Sequence, residues 1–167
     1  NIQGYGYRTL SAQLTNEGTV NLSSSFIAYG DIVNNGNLGG NDIEWQRASS
    51  AMGKLENPLA ALRAYGVPFG LAPGNHDIDP IGAYDTGSTA FFNQFFPASR
   101  FAGRDYWGGH YGSDNTNNYQ LFSASGLDFI VINLAYRAAA DMLLIDWADA
   151  LLKAYPNHRA IITSHWI

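Results

Sequence analysis

With 167 residues, 46% of them apolar, the chain is long enough for one domain with a real core. A net charge of −5 and a pI near 5.1, with nine scattered Lys and Arg, exclude a general nucleic-acid-binding surface, which would be basic. The sequence holds no run of 18 apolar residues for a membrane span, and without cysteine it has neither disulfides nor thiolate ligands.

In chain order, Thr9 to Asn16 reads as a short helix ended by Asn16-Glu17-Gly18. Ser25 to Tyr29 is a short apolar run, a strand that ends at Gly30-Asp31. Asn34 to Asn41 is a Gly- and Asn-rich loop suited to lie over a site. Asp42 to Leu55 reads as a helix with Asp42 as N-cap, and Asn57-Pro58 breaks it. Leu59 to Tyr65 is a second helical piece, closed by Gly66. The strand Val67 to Ala72 follows, and the helices before it predict a parallel pairing with the first strand through a right-handed crossover. Pro73-Gly74 turns the chain.

Asp79 to Thr89 reads as loop. Phe91, Phe92, Phe95 and Phe96 are expected to plug the next loop onto the core. Trp107 to Asn118 also reads as loop, with His110 on its surface. Tyr119 to Ser123 and Leu127 to Leu134 predict a hairpin, and the second strand, apolar on both faces, should be central. Asp141 to Tyr155 is the clearest helix, because Leu144, Trp147, Ala148, Leu151, Leu152 and Tyr155 make one apolar stripe. Pro156 stops it, His158-Arg159 should be solvated, and Ala160 to Thr163 forms a last strand ending at Ser164-His165. With no internal repeat or linker, residues 1–167 form one domain.

Three strands thus deliver a potential ligand just past their last apolar residue: Asp31, Asn75 and His165. In open α/β sheets that edge is where ligands sit. Carboxylate, amide oxygen and imidazole together suit a divalent first-row metal. Singly, each has a plain structural use: a polar turn for Asn75-His76-Asp77, a helix cap for Asp31, a core histidine for His165.

Gly30-Asp31-Ile32-Val33-Asn34-Asn35-Gly36, Gly74-Asn75-His76-Asp77 and Ser164-His165 resemble, in order and position, the second, third and fourth signature blocks of the calcineurin-like metallophosphoesterases. Glu44-Trp45, Trp107-Gly108-Gly109 and Tyr119 to Ser123 resemble a bacterial, often secreted branch of that family. The resemblance implies an α/β fold, a sandwich of two mixed β-sheets flanked by helices. The family's first strand and its C-terminal strands, with their Gly-His-x-His block, would lie outside these residues.

It also implies a secreted or cell-surface chain that hydrolyses a small phosphoester with a hydroxide bound between two divalent ions, Mn, Fe or Zn. In that reading Asp31 bridges the ions, Asn75 and His165 bind the second, and Gln3 helps with the first. Asn1 stands where the family carries an Asp. His76 protonates or stabilises the leaving oxygen, and Asp77 orients His76 and favours its charged form. The alternative is a catalytically inactive binding or structural module that keeps the phosphoesterase fold.

Overall fold

The computed structural model describes residues 26–36, 41–61, 64–83, 85–124, 126–136 and 141–165. The expected helix over Thr9 to Asn16, together with Asn1 and Gln3, lies outside them. The described chain is mixed α/β, with helices against a two-stranded and a four-stranded sheet.

The short apolar runs become β1 (Phe26–Tyr29) and β2 (Phe69–Ala72), which pair in parallel with Phe26 opposite Phe69, as the intervening helices predict. Between them run α1 (Ile43–Gly53) and α2 (Pro58–Ala61). α1 buries Trp45, Ala48 and Met52, three and four residues apart and so on one face. Asp42 precedes α1 but does not cap it; the Asn41 side chain accepts from the Ile43 N–H at 3.0 Å instead. Asp42 is drawn off by the Gln46 amide at 2.8 Å, an i,i+4 bond that competes for its oxygen.

The phenylalanine-rich stretch does plug the core, but on helices rather than a loop. α3 (Ala90–Phe95) and α4 (Ala98–Phe101) bring Phe92, Phe96 and Phe101 into one buried cluster with Trp45, Met52, Leu55, Phe69 and Leu71. Trp45 lies flat against Phe95 and edge-on to Phe92. At the rim of this cluster Arg100 grips the Glu56 carboxylate with two bonds of 2.8 and 3.0 Å, and Arg104 adds a third of 2.7 Å. Burial alone would raise the Glu56 carboxyl. Hydrogen bonds and charge from both arginines overcome that and hold it below the usual glutamate value.

The second sheet contains β3 (Trp107–His110), β4 (Asn118–Ala124), β5 (Leu127–Leu134) and β6 (Arg159–Ser164), in that spatial order. β4 and β5 form the expected hairpin; β5 is central and pairs in parallel with β6. β3 corrects the reading of 107–118 as loop throughout. A Gly-Gly pair carries no strand pattern, yet the missing Cβ of Gly108 leaves room for the Tyr119 ring to cross it.

α5 (Met142–Ala154) connects β5 to β6 and is capped by Asp141, which accepts from the Leu143 and Leu144 N–H groups. Its apolar stripe covers Ile130, Ile132 and Leu134 of β5, as its period predicts. Arg159 opens β6 and is exposed, whereas the His158 ring is half-buried against Tyr155. Among the described residues, no helix is long and apolar enough to cross a membrane.

Candidate functional site

The C-terminal ends of β1, β2 and β6 meet. Gly30, just after β1, donates its N–H to the Ala72 carbonyl at 3.1 Å, so β1 and β2 finish level. Asp31 follows with a positive φ of 29°, a backbone conformation an ordinary residue adopts at a cost of about 1–3 kcal/mol. The His76 N–H, donating to Asp31 Oδ1 at 3.1 Å, helps hold it there. His165 arrives from β6, in the other sheet, and its Nε2 stands 3.7 Å from Asp31 Oδ2.

Two glycines make that approach possible. The His165 ring lies where a side chain on Gly30 would be, and Gly30 also has a φ of 72°, so neither space nor backbone admits another residue. Gly74 packs against Gly30 itself: a Cβ there would sit 2.5 Å from Gly30 Cα and 2.7 Å from Asp31 Oδ1. Both belong to the motifs that point to the site, but only this packing reveals what they do.

Asn75, His76 and Asp77 form one 3₁₀ turn directly after β2 and the Pro73-Gly74 link. Asn75 heads that turn, is half-buried, and accepts through its backbone carbonyl from the Gly82 N–H at 2.9 Å. His76 donates its Nδ1–H to the Asn34 carbonyl at 2.7 Å. A carbonyl only accepts, so Nδ1 carries the proton and Nε2 is the nitrogen left to give or take one. That is the orienting role expected of Asp77.

Asp77 is turned elsewhere. Only 2% exposed, it accepts from the N–H groups of Ile32 (3.0 Å), Val33 (2.9 Å) and Gly74 (2.8 Å). It therefore ties the loop after Asp31 to the turn that carries Asn75. Burial pushes its carboxyl up to about 7, against the pull of those three donors, and the neighbouring Asp31 charge pushes the same way.

The sequence places Asn34 in the 30–36 motif and its loop but gives it no contact with His76. Glu44 holds that loop in place, accepting from the Asn34 and Asn35 N–H groups at 2.7 and 3.1 Å. Trp45 adds an indole bond of 2.5 Å to the Gly36 carbonyl, and Gly36 donates to the His76 carbonyl at 3.0 Å.

The donor set is compatible with a dication. A gap of 3.7 Å is too long for a hydrogen bond. It is shorter than two metal–ligand bonds of about 2.1 Å placed end to end, so Asp31 Oδ2 and His165 Nε2 can reach one ion. Among the described residues, no group of three or more His, Cys, Asp or Glu gathers that could hold a metal ion. Gln3 and Asn1 lie outside the described residues.

No family model matches the chain, and no solved structure matches it. It is similar to the uncharacterized protein YvnB of Bacillus subtilis (strain 168), 29% identical over 122 residues, which is 73% of this chain. The matched stretch is 8% of that protein's length.

Proposed function

We propose that the chain carries the catalytic region of a calcineurin-like metallophosphoesterase, secreted or at the cell surface, built on a sandwich of two mixed sheets flanked by helices. The observation that carries the reading is the meeting of Asp31 and His165, from separate sheets, at 3.7 Å beside the Asn75–Asp77 turn. A strained Asp, a half-buried imidazole and an amide at adjoining strand ends suit a dication site better than a surface turn.

Asp31 and His165 would bind the ions, with Asn75 as amide donor and with Gln3 and Asn1 from the start of the chain. Divalent ions held there would supply Lewis acidity and a nucleophile at neutral pH. His76 does the proton work. Its Nδ1–H is committed to Asn34, which leaves Nε2 to donate to the leaving oxygen of a small phosphoester. Asp77 acts through the backbone, keeping the two ligand loops together.

Metal analysis combined with hydrolysis of an aryl phosphate ester tests this. Bound dication is expected, with turnover that falls about 10²- to 10⁴-fold in His76→Ala while the metal is retained. A protein that holds no dication and turns nothing over is the inactive binding or structural module instead.

A further inference from the structure

The candidate site is composite: Asp31 and Asn75 follow β1 and β2, whereas His165 follows β6 of the other sheet. Pairing within either sheet leaves the distance between them open. It is set where β2 packs on β4 and β5, and buried amides meet β2 at that contact. Asn118, Gln120 and Asn133 are at most 1% exposed there. We infer that these buried amides, continued by the Thr163 hydroxyl, are positioning residues that set the separation of His165 from Asp31; this rests on the metal-site reading above.

The bonds run head to tail. Thr163 Oγ1 donates to Asn133 Oδ1 at 2.9 Å, Asn133 Nδ2 to Asn118 Oδ1 at 3.1 Å, and Asn118 Nδ2 to the Leu71 carbonyl at 2.7 Å. Gln120 braces the middle, accepting from Asn133 at 2.5 Å and donating to Asn118 at 2.7 Å. One end of the chain is two residues before His165; the other is inside β2, four residues before Asn75.

Gly70 shows how close the fit is, since a Cβ there would lie 2.5 Å from Asn133 Nδ2. Apolar faces can slide and repack, but a linked set of buried amides loses several bonds at once when one strand shifts. The Ser164 hydroxyl, bonded to the Ala135 carbonyl at 3.1 Å, pins the last step before His165.

Co²⁺ titration followed by its visible absorption reads the site without turnover. Thr163→Val keeps the shape and removes only the donor, and Thr163→Ser restores it. The expected result is a folded Thr163→Val protein with Co²⁺ affinity about 10-fold or more weaker and an altered absorption band, and wild-type behaviour in Thr163→Ser. Gly70→Ala should disturb the band further where it folds. Wild-type affinity and spectrum in Thr163→Val overturn the inference. No Co²⁺ binding by the wild-type protein overturns the metal reading itself, and this inference with it.

Discussion

β2 has two faces built from opposite chemistry. Phe69 and Leu71 enter an apolar cluster with Trp45, Met52, Phe92, Phe96 and Phe101. Gly70, between them on the other face, meets the side-chain amides of Gln120 and Asn133. The first face removes large rings from water and supplies stabilisation that depends little on direction. The second removes little apolar surface but requires each donor to find its acceptor. One strand thus anchors the fold on one side and sets a distance on the other.

Breaking the apolar face should have the largest effect. Trp45→Ala empties a fully buried site and also removes the indole bond to Gly36, so unfolding in urea should show a loss of about 3–5 kcal/mol. A loss below about 1 kcal/mol would mean that the rings repack freely and that the contrast between the faces is wrong.

The amide face should cost less. Asn118→Ala unpairs the buried groups around it, an expected loss of about 1–3 kcal/mol in the same measurement. A loss equal to that of Trp45→Ala would make the amides the main source of stability rather than of spacing.

The smallest effect belongs to the charged rim of the apolar cluster and depends on pH. Glu56 has a lowered pKa in the folded chain, so its contribution is present above the ordinary value of 4.5 and is lost as pH falls through the lower folded value. Glu56→Gln should be less stable than wild type at pH 6, and the gap between the two urea midpoints should shrink as pH falls below 4.5. A gap that persists in acid would assign the effect to packing rather than charge.

Much of this organisation is legible in residue order. β5 carries the apolar run Phe129 to Ile132 and α5 an apolar stripe, and each element forms where that pattern predicts. Asp31, Asn75 and His165 stand out because each follows an apolar run, and strand ends are few. β3 was not legible, because Trp107-Gly108-Gly109-His110 lacks alternation and needs β4 to become a strand. The cap of α1 differs from the expected one for a similar reason: Asn41 and Asp42 both suit the position, and the Gln46 amide decides between them.

What the sequence by itself determined is local: most strand and helix segments, β3, α3 and α4 excepted, and which chemistry-bearing residues end them. Tertiary structure alone decided that His76 is held by Asn34, that Asp77 faces three backbone N–H groups, and that His165 lies over Gly30. Those partners are 42 to 45 residues apart for His76 and for the Asp77 bonds to Ile32 and Val33. A periodic pattern records which face of an element is buried, but which polar group meets which across two sheets depends on distances that exist only once the sheets have packed.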